Sequence, residues 1–138
     1  IAALAASVAG AAPAVADATI SDGPDGLRAL TIEVVEPGDA DWKVQILQRG
    51  IPLRSDKRYR VTFQARSSVK RWIGSGVSQA EAPYRMLAYH NFEVGPEWTR
   101  VTFFLRPDSD AALGRFVISG LGAAPAVFAI ADVSMIED

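Results

Sequence analysis

The chain has 138 residues, of which 49% are hydrophobic and 22% charged, and its formal net charge at pH 7 is −2. This length and composition predict one globular domain with a buried core and exclude a disordered chain. The slightly negative charge argues against a dedicated nucleic-acid binder, and the lack of cysteine excludes disulfide bonds and thiol nucleophiles.

The N-terminal stretch reads IAALAASVAGAAPAVA, an apolar run with small residues at Ala14 and Ala16, as at a signal-peptide cleavage site. The basic stretch that precedes such a run is missing. We therefore expect residues 1–138 to form a single domain excised from a longer chain, and leave open whether residues 1–16 include the remnant of a signal peptide. The apolar run at 3–10 is too short to span a membrane.

Alternating apolar and polar residues predict strands along almost the whole chain. Nine are predicted, at Ala12–Ser21, Leu27–Glu36, Trp42–Gln48, Arg58–Ser68, Trp72–Gln79, Arg85–Phe92, Glu97–Leu105, Arg115–Ser119 and Ala126–Ile136. The breaks between them carry Gly, Pro and Asp, which are typical of turns. The pattern predicts an all-β protein, either a β-sandwich or a jelly roll.

The predicted strand Arg58–Ser68 is rich in arginine. Tyr59, Val61 and Phe63 form a core face, and arginines, Thr62 and Gln64 alternate with them. The polar face is either solvated surface or part of a polar groove.

Signatures of catalysis are missing from the sequence. His90 is the single histidine, so that no second histidine or cysteine can complete a metal site with it. No G-x-S-x-G elbow and no phosphate-binding loop occur, and the acidic residues are scattered on turns and strand ends. We expect a structural or surface role for His90 and no catalysis by this domain.

Short motifs follow one another in order between about Gly26 and Met135. They are W-x-V-Q-I (Trp42–Ile46), G-I-x-L (Gly50–Leu53), Y-x-V-T-F-x-A-R (Tyr59–Arg66), S-Q-x-x-A-P-Y (Ser78–Tyr84), E-W-T-R-V-T-F (Glu97–Phe103), G-R-F-x-I-x-x-L-G (Gly114–Gly122) and F-A-I-A-D-V-S-M (Phe128–Met135). Together they resemble carbohydrate-binding modules of the family 4/9/22 type. The resemblance implies a galactose-binding-like jelly roll of two antiparallel sheets, one of them concave and holding a polysaccharide. It also implies a non-catalytic accessory domain of a secreted or periplasmic, bacterial-type glycoside hydrolase.

The resemblance implies a ligand site of rings and polar side chains, because rings cover the apolar faces of sugars while amides and arginines bond their hydroxyls. The implied ligand-binding residues are Trp72, Tyr84, Gln79, Gln45, Arg49, Arg115 and Ser119. Tyr84 could instead be a core or rim residue, and Gln79 could simply tie the turn. Trp42 and Trp98 are expected to pack, whereas Phe104 could be a groove ring or cover a second core surface.

The ligand implied by the family is a neutral β-glucan or xylan. A uronate-bearing glycan is favoured as the ligand if Arg49 and Arg115 share the groove with Arg60 or Arg66. The reason is that a guanidinium binds a carboxylate through two parallel hydrogen bonds. Some relatives hold a structural calcium, for which Asp132 is a weak candidate because Ala131 replaces the usual first acid. The other implied partner is a catalytic domain in the same chain, and no membrane partner is expected.

Two alternatives stay open. One is a jelly-roll spacer or protein-interaction domain that has lost glycan binding, favoured by the lack of an aromatic residue before Trp42 and by the small residues Gly74 and Gly76. The other is an enzyme on the same fold, such as a lyase or a small hydrolase. Tyr89 and His90 could not serve it together, because adjacent residues in a strand point to opposite faces.

Overall fold

The computed structural model describes residues 5–8, 15–37 and 44–138. These residues form ten strands: β1 Ala5–Val8, β2 Val15–Asp22, β3 Arg28–Glu36, β4 Val44–Leu53, β5 Tyr59–Ser67, β6 Arg71–Gln79, β7 Met86–Val94, β8 Thr99–Leu105, β9 Ala111–Ser119 and β10 Ala126–Glu137. Short 3-10 turns lie at Pro24–Gly26 and Leu121–Ala123. The described residues include no helix long and apolar enough to span a membrane.

The strands form two five-stranded antiparallel sheets. Sheet I has the order β1-β4-β9-β6-β7, and sheet II has the order β2-β3-β10-β5-β8. In chain order, the strands change from one sheet to the other after β1, β3, β4, β5, β7, β8 and β9. Such crossings are typical of a jelly roll. The predicted all-β sandwich of two antiparallel sheets is confirmed.

The core lies between the sheets. Phe63 of sheet II is fully buried at its centre and makes edge-to-face contacts with Phe92 of sheet I and Phe103 of sheet II, at centroid distances of 5.2 and 6.0 Å. Each such ring pair contributes about 0.5–1.5 kcal/mol beyond the burial of its area. His90 closes the edge of the sandwich, since its ring stacks on Phe103 at 4.6 Å. His90 is itself exposed, so this contact fits the expected structural or surface role.

Strand β4 runs further than predicted. The sequence prediction ends it at Gln48 and places a connection over residues 49–57, whereas β4 continues to Leu53. Gly50 has a φ of +76°, and the register with β9 shifts between Arg49 and Ile51. The glycine therefore bends the strand and does not end it. Trp42, predicted to begin this strand and to pack beside the core, lies outside the described residues.

Strands β1 and β9 also differ from the prediction. Strand β1 is not predicted, because the run AASV lacks alternation, yet it pairs with β4. Strand β9 begins at Ala111 and not at Arg115, since Ala111 already pairs with Leu53. Of the predicted strand Ala12–Ser21, the part from residue 15 is confirmed in β2, and residues 12–14 lie outside the described residues.

Candidate functional site

The outer face of sheet I carries an open groove of about 670 Å³. Strands β4, β7 and β9 and the loop between β6 and β7 supply its lining, which consists of Gln45, Arg49, Pro83, Tyr84, Met86, Tyr89, Arg115, Val117 and Ser119. Alternation explains the outward direction: Ile46, Phe116 and Ile118 are buried in the core, so their neighbours point away from it. Five of the predicted ligand-binding residues therefore share one groove: Gln45, Arg49, Tyr84, Arg115 and Ser119.

The floor of the groove depends on two glycines of β6. A Cβ atom on Gly74 would lie 1.7 Å from the hydroxyl oxygen of Tyr89, so the Tyr89 side chain crosses β6 directly above Gly74. A Cβ atom on Gly76 would lie 2.2 Å from the carbonyl oxygen of Ala88 and 2.8 Å from the Cε of Met86. Side chains of the groove therefore cover both glycines, Tyr89 over Gly74 and Met86 over Gly76.

Tyr84 is held at the rim of the groove by the loop between β6 and β7. Its backbone N–H donates to the Glu81 carbonyl at 2.8 Å, and its φ of +58° is left-handed. A tyrosine in this conformation is strained by about 1–3 kcal/mol, and such strain is concentrated at functional sites. The side chain is 52% exposed, so Tyr84 belongs to the rim and not to the core.

Arg115 lies beneath Tyr84 and is only 9% exposed. Its Nε donates to the Ser78 hydroxyl at 3.1 Å, and its guanidinium carbon lies 5.0 Å from the centroid of the Tyr84 ring. Burial lowers the pKa of Arg115, and the positive charge of Arg49 lowers it further. The guanidinium remains charged, because arginine is not deprotonated in proteins.

Two predicted residues lie outside the groove lining. Trp72 is 66% exposed on the same outer face, opposite Glu93 and two residues before Gly74. Gln79 accepts the backbone N–H of Arg85 at 3.3 Å through its side-chain oxygen, and so ties the loop that carries Tyr84. It lines a neighbouring cavity of about 400 Å³. The turn-tying interpretation of Gln79 fits this contact, and its binding role stays a prediction.

Tyr89 and Met86 line the groove and were not among the predicted site residues. Val77 pairs with Ala88 but Ser78 pairs with Met86, so Leu87 is an extra residue in a β-bulge, and it points into the core. Counting back from the buried Phe92 places Tyr89 on the outer face, which is a signal present in the sequence. The expectation that Tyr89 and His90 lie on opposite faces is met.

The arginine-rich face of β5 lies elsewhere. Tyr59, Val61 and Phe63 are buried as predicted, but β5 belongs to sheet II, so Arg60 and Arg66 lie on the outer face of that sheet. The interpretation that this face helps to build the groove is wrong, and neither arginine joins Arg49 and Arg115. Alternation cannot show this, because it assigns a face but not a sheet.

Two aromatic residues lie on the outer face of sheet II. Trp98 packs against Ala29, Ala129 and Ala131, which confirms its expected packing role. Phe104 is exposed and lies under the guanidinium of Arg58 at 4.6 Å, so it is not a groove ring.

Asp132 makes a poor calcium site with the residues described. It lies in a bulge of β10 with a φ of +56°, and its carboxylate lies 3.5 Å from the Arg100 guanidinium. Residues 5–8, 15–37 and 44–138 contain no cluster of three or more His, Asp or Glu that could hold a metal ion. A calcium ion takes about six to eight oxygen ligands, so a single carboxylate paired with arginine does not fit.

A jelly roll with an open groove of rings, amide and guanidinium groups on one sheet defines a binding protein for an extended polar ligand. Residues 8–122 match the model of the carbohydrate binding domain family, CBM 4/9. The chain belongs to this family and is a non-catalytic carbohydrate-binding module. Among curated proteins, none matches the chain in sequence.

Solved structures share the fold. A CBM4 domain is 24% identical, with a TM-score of 0.73 over 88% of this chain and 78% of that chain. The N-terminal cellulose-binding domain of Cellulomonas fimi β-1,4-glucanase C is 19% identical, with a TM-score of 0.65 over 85% of this chain and 91% of that one. A family 11 module from Clostridium thermocellum, in complex with a β-1,3-1,4-mixed-linked tetrasaccharide, is 9% identical, with a TM-score of 0.68 over 99% and 89% of the two chains.

Proposed function

We propose that the groove on the outer face of sheet I binds a polysaccharide chain. One observation supports this proposal: the Tyr84 and Tyr89 rings line the same solvent-open groove as amide, hydroxyl and guanidinium groups. The tyrosine rings stack on the apolar faces of sugar units, and Gln45, Ser119 and the arginines bond the hydroxyls at their rims. An open groove admits a long chain, whereas a closed cavity would admit only a small ligand.

Trp72 offers a further stacking position on the same face. A side chain as large and apolar as tryptophan is unusual on an exposed strand surface that contacts only water. In the proposed complex the polysaccharide leaves the groove past Tyr89 and Gly74, and Trp72 covers an additional sugar unit.

The proposed role is to hold an attached glycoside hydrolase on its polymer, in a secreted or periplasmic protein. Two structural relatives support it, since one belongs to a β-1,4-glucanase and another to a cellulosomal cellulase. The mixed-linked tetrasaccharide bound to one relative makes neutral β-glucan one of the candidate ligands to be tested. Xylan is kept as a candidate on the family resemblance alone.

Affinity electrophoresis tests the proposal. The folded domain is run through gels containing mixed-linkage glucan, xylan, soluble cellulose, mannan, alginate or polygalacturonate. We expect at least one polymer to retard it, and Tyr84→Ala to weaken binding by about tenfold, or about 1.4 kcal/mol. Trp72→Ala should weaken binding to long chains more than to short oligosaccharides.

Phe104→Ala is the matched control, because it removes an exposed ring from the opposite sheet. It should leave retardation unchanged. If no polymer retards a protein whose circular dichroism and cooperative unfolding show that it is folded, the domain is a spacer or a protein-interaction domain.

A further inference from the structure

The lining of the groove carries an excess of positive charge. Arg49 and Arg115 lie directly opposite each other in the register of β4 and β9, and both line the groove. No Asp or Glu belongs to the lining within the described residues. Like charges directly opposite each other destabilise a sheet, so the pair is unfavourable in the unbound protein.

Among the residues that the structure describes, Arg115 also has no oppositely charged partner. Elsewhere in the described chain, Arg54 pairs with Asp56 at 3.0 Å and Arg85 with Asp108 at 2.8 Å, although these side chains are exposed. Arg115 is more deeply buried, yet its contacts are the Ser78 hydroxyl and the Tyr84 ring, both neutral. Burial of a charge without a counter-charge is costly, and an anion entering the groove would offset that cost.

Arg71, a partly buried arginine outside the groove lining, shows how backbone carbonyls of the protein can satisfy a guanidinium. The guanidinium of Arg71 donates to the carbonyl oxygens of Gly120 and Leu121, at 2.6 and 3.3 Å. Arg115 has one donated bond to a hydroxyl, and several of its five N–H donors remain for a partner in the groove.

We propose that the ligand is an acidic polysaccharide whose uronate carboxylate accepts hydrogen bonds from Arg49 and Arg115 while an adjacent sugar ring stacks on Tyr84. This inference rests on the proposed function, because it places the uronate in the same groove. A carboxylate between two guanidiniums receives charge-assisted bonds, which are about twice as strong as neutral ones. The contact also removes the repulsion between the two arginines.

Polymers that differ only in their carboxyl groups separate the effect of ligand charge on binding from the effect of the sugar backbone. Binding of the domain to alginate and polygalacturonate is compared with binding to the same polymers after chemical reduction of their carboxyl groups, at low and high salt. We expect binding to at least one acidic polymer to be stronger than to its reduced form by about tenfold or more, and to weaken as salt rises.

Arg49→Gln and Arg115→Gln should each remove most of this preference. Arg49 is exposed, so its variant keeps the test valid even if Arg115→Gln fails to fold. The double variant Arg60→Gln, Arg66→Gln is the control, because it removes two positive charges from the outer face of sheet II and none from the groove. It should retain the preference.

Three results would overturn the inference. Equal binding to acidic and reduced polymers, or binding to neutral glucans alone, would refute the acidic ligand and leave polysaccharide binding intact. Loss of the preference in the control variant as well would show non-specific attraction. Failure to bind any acidic, reduced or neutral polymer would refute the proposed function and this inference with it.

Discussion

At the scale of single residues, the groove depends on the contact between Gly74 and Tyr89. A side chain at position 74 would occupy the place of the Tyr89 hydroxyl. Because that hydroxyl is the far end of a movable side chain, it can swing aside at little cost to the fold. The ring would then leave its position over β6, so binding and stability should respond differently to substitution here.

Gly74→Ala should therefore weaken polysaccharide binding by about tenfold while changing the free energy of unfolding by less than about 1 kcal/mol. Titration calorimetry and urea denaturation measure the two quantities. Unchanged affinity would show that the position of the Tyr89 ring does not matter for the ligand.

Gly76→Ala provides the contrast on the same strand. Its Cβ would meet the backbone carbonyl of Ala88, which cannot move without shifting β7. We expect a loss of about 1–3 kcal/mol in the free energy of unfolding, as for other overpacked sites. If urea denaturation shows Gly76→Ala to be as stable as Gly74→Ala, the close approach of β6 and β7 is wrong.

Four of the five groove residues identified from the sequence lie on strands, whereas the fifth, Tyr84, lies in a loop and comes from the family resemblance alone. Gln45, Arg49, Arg115 and Ser119 follow from simple alternation with buried neighbours, combined with the family resemblance. Counting back from Phe92 places Tyr89 on the outer face, but counting forward from Leu87 places it in the core, because the bulge at Leu87 reverses the alternation within one strand. A bulge depends on pairing with another strand, which the local pattern does not reveal.

At the scale of the elements, the left-handed Gly50 keeps β4 continuous as it bends beside the groove residue Arg49. An L-residue with a side chain pays about 1–2 kcal/mol for this conformation. Gly50→Ala should lower the free energy of unfolding by that amount in denaturant titrations. Gly95→Ala is the control, because no atom lies within 4 Å of its Cβ position and its φ is not positive. Equal stability of the two variants would contradict the role given to Gly50.

Asp110 ties the connection after β4 to the segment that begins β9. Its carboxylate accepts the backbone N–H of Ser55 at 2.7 Å and the Ser55 hydroxyl at 3.0 Å, and these bonds, the backbone one first, lower the pKa of Asp110. A carboxyl with a lowered folded pKa stabilises the protein above its unfolded pKa, and this contribution is lost as the pH falls through the folded value.

Asp110→Ala should therefore reduce the melting temperature at pH 7, and the difference from the unmodified protein should narrow as the pH falls below about 4. Differential scanning calorimetry across this range measures both. A difference that stays constant with pH would mean that the charge on Asp110 contributes nothing to stability.

Strand ends were harder to predict than the strands themselves. Gly50 and Pro52 are typical of a turn, yet β4 runs through both because β9 supplies partners up to Ala111. The same pairing makes β9 begin at Ala111, four residues before the predicted start at Arg115. Local composition is outweighed here by hydrogen bonds between segments more than fifty residues apart in the chain.

For the molecule as a whole, the sequence predicted the sandwich but not which strands belong to which sheet. The faces of β5 and β9 show the same apolar alternation, yet β9 contributes Arg115 to the groove while β5 turns Arg60 and Arg66 to the opposite side. Which strands share a sheet is decided by long-range pairing. For this reason the arginines could be assigned to an outer face from the sequence but not to a common site.

We propose that sheet I, and not sheet II, binds the polysaccharide. The most direct measurement is two-dimensional NMR of the isotope-labelled domain, titrated with an oligosaccharide of the polymer that retards it. If the ligand lies on sheet I, the shifted amide signals belong to β4, β6, β7 and β9 and to the loop around Tyr84. Shifts confined to sheet II, around Trp98 and Phe104, would contradict the proposal.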